Sequence, residues 1–136
     1  MSWPVYLIVS LGGGQRDHHA IFVETEDQGP KTGQIYQVFG SMQSGMTFET
    51  RAETTPPEDS LNFIFLSKTL LGTIKHEDYP KVLEVCQRVE APKKQFQGPK
   101  RLYPTEPLRA CQEWTKEAIE ALKDEKILEG CDVVGE

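Results

Sequence analysis

The sequence predicts an α+β domain built on a largely antiparallel sheet, and three observations predict it. Residues 5–11 form a near-continuous apolar run rich in Val and Ile. Two further strand-like segments, HHAIFVE and GQIYQVFG, follow on either side of a polar turn. Two amphipathic segments at helical spacing then occupy the C-terminal part, joined by a polar, Pro-containing connection. Strands in succession, followed by helices, are the signature of a sheet flanked by helices.

In chain order, the run 5–11 reads as a strand covered on both faces, ended by Gly12-Gly13-Gly14. HHAIFVE is the second strand and GQIYQVFG the third, with TEDQGPKTG as a hairpin loop carrying Gly29, Pro30 and Gly33. GMTFETRAE is a fourth strand, broken at Pro56-Pro57. In SLNFIFLSKTLLGTIK, Leu61, Phe63 and Phe65 alternate as in a strand, and residues 70–74 are equally strand-like. HEDYPKVLEVCQRVEAP is helical: Asp78 is placed to cap, Pro80 suits the opening turn, and Val82, Val85, Cys86 and Val89 fall on one stripe. Pro92 stops it. In PLRACQEWTKEAIEAL the stripe is Cys111, Trp114, Ala118 and Leu122, with Glu113, Lys116, Glu117, Glu120 and Lys123 on the wet face.

At 136 residues the chain is one domain, 1–136, its last ~8 residues read as a loose tail. A net charge of −6 argues against a nucleic-acid surface or an anionic membrane as main partner. The apolar N-terminal stretch lacks a basic start and a small-residue cleavage site before Arg16, and no stretch approaches the roughly 20 apolar residues of a membrane span. A cytoplasmic protein without stable membrane insertion is expected. Cys86, Cys111 and Cys131 are widely spaced and odd in number, which indicates neither a disulfide framework nor a zinc site. With His18, His19 and His76 as the only histidines, no metal site and no cofactor are expected. LGGGQ is not a phosphate loop, because a strand follows it and no Gly-Lys-Ser/Thr is present.

Cys111 is the first candidate for chemistry. It lies on the apolar stripe, where cysteine is commonly a small buried residue. It also lies on a first helical turn, where N–H groups and the helix dipole lower a thiol pKa. The helix alone leaves both readings open. His18 and His19 begin a strand and so point to opposite faces, His18 with Ala20 and Phe22, His19 with Ile21 and Val23. A hairpin symmetric about residues 27 and 28 places Gln37 opposite His18 on one face. Either a solvent-facing glutamine or a partner for the imidazole fits that position.

The order of these three pieces resembles the circularly permuted branch of the papain-like fold, which includes lecithin retinol acyltransferase-like proteins and some NlpC-type hydrolases. The strand motif there reads roughly His-Trp-Ala-Ile-Tyr-Val, and here His18-His19-Ala20-Ile21-Phe22-Val23. The next strand of the family carries a polar residue, often His, where this chain has Gln37. The family's cysteine motif is Asn-Cys-Glu/Gln followed by an aromatic; here it is Ala110-Cys111-Gln112-Glu113-Trp114. The resemblance implies Cys111 as nucleophile, His18 as base with His19 as the alternative, and Gln37 as orienter of the ring. Its implied activity is hydrolysis or acyl transfer at an amide, ester or peptide carbonyl of a small-molecule or peptide substrate, through a thioester. Gln37 is neutral, so it orients an imidazole without stabilising imidazolium as a carboxylate does, and Ala110 stands where the family has Asn. The other reading is a non-catalytic binding or accessory module that keeps the fold and uses its cleft or the basic segment 93–101. A redox-sensing thiol requires Cys111 exposed beside Cys86 or Cys131.

Overall fold

The computed structural model describes residues 2–11, 17–59 and 64–130, the side chains of 64–66 excepted. Gly12-Gly13-Gly14, Arg16, Leu61, Phe63 and Cys131, singled out above, lie outside the described residues, as does the side chain of Phe65. The chain is α+β. Strands β1 (Ser2–Leu11), β2 (Asp17–Val23), β3 (Gly33–Ser41), β4 (Gly45–Glu53) and β5 (Ile64–Lys75) precede helix α1 (Tyr79–Arg88). The short strands β6 (Phe96–Gln97) and β7 (Lys100–Arg101), helix α2 (Cys111–Asp124) and β8 (Glu129–Gly130) follow. The main sheet runs in the order β4-β3-β2-β1-β5-β8, and every neighbouring pair is antiparallel.

Burial follows the period-two alternation of the strands. Ile21, Val23, Tyr36, Val38 and Val5 face the helices and pack with Val82, Val85, Cys86, Trp114, Ala118 and Leu122. Ala20, Phe22, Ile35 and Ile8 form a smaller cluster on the opposite face. β2 is thus apolar on both faces from Ala20 to Val23, as a central strand requires. On the second face Lys68 lies 4.5 Å above the Tyr6 ring and pairs with Glu24 at 2.8 Å, which closes that cluster with a charged rim.

The hairpin of β2 and β3 departs from the expected symmetry. The observed partners are Ile21 with Tyr36, Phe22 with Ile35 and Val23 with Gln34, two residues away from the symmetric pairing, and the ladder ends before it reaches Gln37. The loop closes through a hydrogen bond from Glu26 N–H to the Thr32 carbonyl, with Glu26 and Lys31 at positive φ, and this sets the register two residues away. A shift of two keeps every side chain on its expected face. Gly33 is needed there because a Cβ would run into the Val23 carbonyl oxygen.

Helix α1 begins where expected, with Asp78 at its N-cap position and Pro80 in the first turn. A 3₁₀ turn (His76–Asp78) leads into α1, so Asp78 already has helical dihedrals and its carboxylate, instead of capping, accepts from Lys81 Nζ at 3.1 Å. α1 closes at Val89, three residues before Pro92. Pro107 lies four residues before α2, whose first helical residue is Cys111. Residues 129–130, expected in a loose tail, pair with Gly72 and Thr73 of β5, because Ile127 and Leu128 are buried just before them.

Trp114 ties the two helices together. It is fully buried, its ring packs against Phe48 at 5.6 Å, and its indole N–H donates to the Val89 carbonyl at 2.9 Å. Val89 is the C-cap of α1, so the bond satisfies a carbonyl that the helix end leaves without an internal partner. Trp114→Phe keeps most of the ring but removes the donor, and it is expected to cost about 1–3 kcal/mol. Trp114→Ala adds a cavity and is expected to cost about 3–5 kcal/mol. Urea denaturation checks both; equal midpoints for Trp114→Phe and the native chain would remove the indole bond from the account.

Candidate functional site

β2 and β3 are paired only on the hairpin side of Ile21 and Tyr36, although both strands continue past that point. Beyond it, main-chain carbonyls of β2 are met by side chains of α2. Gln112 Nε2 donates to the Asp17 carbonyl at 3.1 Å, and Thr115 Oγ1 lies 3.3 Å from the His19 carbonyl and 2.7 Å from that of Cys111. Cys111 Sγ lies 3.8 Å from the same Asp17 carbonyl. The first turn of α2 therefore docks where the β2–β3 ladder stops, and this brings Cys111 to the start of β2.

The structure brings Cys111, His18 and Gln37 together. His18 Nε2 is 2.7 Å from Gln37 Oε1, and the imidazole is also hydrogen-bonded to the Cys111 side chain. A carbonyl oxygen only accepts, so Nε2 carries the proton and Nδ1 is the nitrogen with a lone pair for the thiol. Burial is the strongest influence on His18 and pulls its pKa down. The hydrogen bonds to Cys111 and Gln37 and the charge of Cys111 outweigh it, with Arg51 opposing, so the pKa lies above the ordinary 6.5. Cys111 is 8% exposed and belongs to the helix-side core. His19 has the parity of Ile21 and Val23, and its carbonyl is the one that receives Thr115.

Gln37 is fully buried, and both ends of its amide are engaged. Its Nε2 donates to Glu49 Oε2 at 3.2 Å, and Arg51 Nη1 donates to the same oxygen at 2.7 Å. Arg51 Nε donates to Glu53 at 2.8 Å. Phe39, two residues along β3 from Gln37, lies nearly parallel to the His18 ring with centroids 6.0 Å apart, and Arg51 sits 5.9 Å from the centroid of Phe39. Glu49 and Arg51 escaped the sequence reading. Their signal was present: Gly40 and Gly45 bracket a tight turn that puts Gln37 directly opposite Glu49.

The entry to α2 is fixed by a residue that also went unnoticed. Gln95 is buried; its Nε2 donates to the Arg109 carbonyl at 2.6 Å, and its Oε1 accepts from Arg109 N–H at 2.7 Å. Backbone bonds from Gln95 to Met42 and from Met46 to Pro92 tie this connection to the β3–β4 turn. Ala110, the N-cap, has no side-chain acceptor, and the Glu113 carboxylate accepts from its N–H at 2.7 Å, which is half of a capping box. Arg109 directs its guanidinium to Glu117, at 2.7 to 3.2 Å. In the basic segment, Lys93 pairs with Glu106 at 3.1 Å and lies 3.9 Å over the Tyr103 ring, and Arg101 donates to the Glu106 carbonyl. A cleft of about 520 Å³ lined by Lys93, Arg109, Glu113 and Glu117 follows the other flank of α2, and none of Cys111, His18 and Gln37 lines it.

The remaining sulfur behaves differently. Burial pushes the Cys86 thiol up to about 12, which makes it an inert core group. Among the described residues, no three His, Cys, Asp or Glu side chains converge in a metal-binding arrangement, and no helix is long and apolar enough to cross a membrane.

No curated protein and no solved structure matches the chain. A family model does match, over residues 5–129, from the first central strand to the last pairing strand and across every residue of the Cys111–His18–Gln37 group. The chain accordingly belongs to DUF6540, a family of unknown function.

Proposed function

We propose that the protein is a small cysteine hydrolase or acyltransferase of the circularly permuted papain-like type. One observation carries this reading: a single imidazole, His18, is hydrogen-bonded to the Cys111 thiol and, through Nε2, to the carbonyl of a buried amide. That arrangement supplies a nucleophile, a base and an orienter. A histidine that served packing alone gains nothing from a thiol on one nitrogen and a fixed acceptor on the other.

The chemistry follows from which nitrogen holds the proton. His18 Nδ1 takes the Cys111 proton, and the thiolate attacks a substrate carbonyl to form a C–S bond and an oxyanion. N–H groups of the first turn of α2 stabilise that oxyanion, helped by the positive end of the helix dipole. The intermediate collapses to a thioester as the imidazolium passes its proton to the departing amine or alcohol. Water, or a second acyl acceptor, then gives its proton to His18 and attacks the thioester; the C–S bond breaks, the acid or the transferred acyl product leaves, and the imidazolium returns its proton to the thiolate. Gln37 keeps Nε2–H engaged throughout.

A specific observation favours a second reading. Cys111 is nearly as enclosed as the core it belongs to, which suits a non-catalytic module that keeps the fold and binds a ligand elsewhere.

Alkylation of Cys111 by iodoacetamide across pH separates the two. The enzyme reading expects an apparent thiol pKa well below the ordinary ~8.5, and loss of that shift in His18→Ala. An acyl adduct on Cys111 from a panel of activated esters, thioesters and amides, absent in Cys111→Ala, should accompany it. A thiol that reacts only after unfolding would sink the enzyme reading and leave the binding module.

The raised pKa of His18 also predicts a pH dependence of stability. A group whose pKa is higher when folded contributes stability that is complete below its unfolded value, near 6.5, and that fades as pH rises through the folded value. The urea midpoint of the native chain is therefore expected to fall across that window relative to His18→Ala. Parallel midpoint curves for the two proteins would contradict the His18–Cys111 linkage.

A further inference from the structure

Gln37 presents a problem that its own position does not solve. A side-chain amide has a carbonyl at one end and an NH₂ at the other, and the two are nearly equal in shape. If the NH₂ faced His18, the Nε2 atom would have to accept, the ring proton would move to Nδ1, and the thiol would lose its acceptor. Which way the amide points therefore decides whether His18 has a basic nitrogen toward Cys111.

From the other end of that amide, we infer that Glu49 is a positioning residue that sets the tautomer of His18 by fixing the orientation of Gln37. A carboxylate only accepts, so only the NH₂ of Gln37 can face Glu49 Oε2, at 3.2 Å. The carbonyl must then face His18, at 2.7 Å, and Nε2 must carry the ring proton. Glu49 is in turn held by Arg51, which reaches the same oxygen at 2.7 Å and is anchored to Glu53 at 2.8 Å. Gln37 and Glu49 are direct cross-strand partners on β3 and β4, so the orientation is built into the sheet register. Among the described residues, Cys111 from α2 and Arg51 from β4 are charged or titratable groups that bear on the imidazole, with Glu49 one amide removed. Glu49 does not touch the reacting atoms; it acts through Gln37.

The role of Glu49 in catalysis rests on the cysteine-enzyme reading, but its control of the tautomer does not, and the test separates them. The ¹⁵N chemical shifts of the His18 ring, with its titration, are recorded in the native chain, Glu49→Ala and Glu49→Gln. Glu49→Gln keeps the size of the side chain and loses its acceptor-only character, so it serves if Glu49→Ala does not fold. The native neutral ring is expected as the Nε2–H form. Each variant should populate the Nδ1–H form substantially, and Cys111 alkylation at neutral pH should slow at least about tenfold, short of the ~10⁴-fold that the wrong tautomer costs in a serine-protease triad. An Nε2–H form with an unchanged titration in the folded variants would overturn the inference. A tautomer change in the variants with a native Cys111 that is inert would uphold the positioning role and overturn the enzyme reading alone.

Discussion

The architecture of the candidate site depends on where the β2–β3 ladder stops. Two strands that stayed paired to their ends would use the carbonyls of Asp17 and His19 within the sheet. Because pairing ends at Ile21 and Tyr36, those carbonyls instead receive Gln112 and Thr115 from the start of α2, with the Cys111 sulfur 3.8 Å from the first of them. Main-chain acceptors in a half-buried place must be satisfied, and here side chains of a helix do it. The same contacts that complete the edge of β2 deliver a thiol to an imidazole. Packing then holds the helix in place: Trp114 is anchored to the end of α1, Ala118 and Leu122 pack on the sheet, and Gln95 clamps the residue that enters the helix.

Charge in the site is arranged in series. His18 leans on a neutral amide, the amide on a carboxylate, and the carboxylate on a guanidinium. A neutral glutamine beside the ring lets Nε2–H bond strongly without a negative charge in direct contact, and the carboxylate sits one residue further out. Arg51, at the end of that series, opposes protonation of the ring, so the balance at His18 reflects the thiol more than the carboxylate. Phe39 shields the ring face and is itself covered by Arg51, which keeps the series partly screened from water.

Much of this was legible in the sequence, and the illegible part has physical causes. Period-two alternation gave His18 and Gln37 a common face, and that survived a wrong register because the error was an even number of residues. The helical stripe Cys111, Trp114, Ala118 and Leu122 is buried as its spacing requires. Asp78 occupies the N-cap position its sequence context indicates, but its side chain makes no capping bond because a 3₁₀ turn upstream makes its backbone helical, which composition does not announce. Gln95 was missed for a different reason: its role is to mimic a backbone pair with Arg109, and a polar residue in a Pro-rich connection carries no mark of that. Glu49 and Arg51 stand at alternate positions of an edge strand, as the polar residues of any half-exposed strand do. Only the cross-strand partner of each residue turns that alternation into a network.

The site is made of two parts that lie far apart along the chain. Residues 17–53 form an unbroken β2–β3–β4 meander that already contains His18, Gln37, Glu49 and Arg51, whereas Cys111 meets Asp17 across 94 positions. During synthesis the meander leaves the ribosome first, and long-range docking is the slow, late event of folding. The imidazole and its supports thus belong to a stretch that is synthesised before the cysteine. Only the docking of α2 joins the two, so the thiol gains its imidazole by a long-range contact and not by local structure.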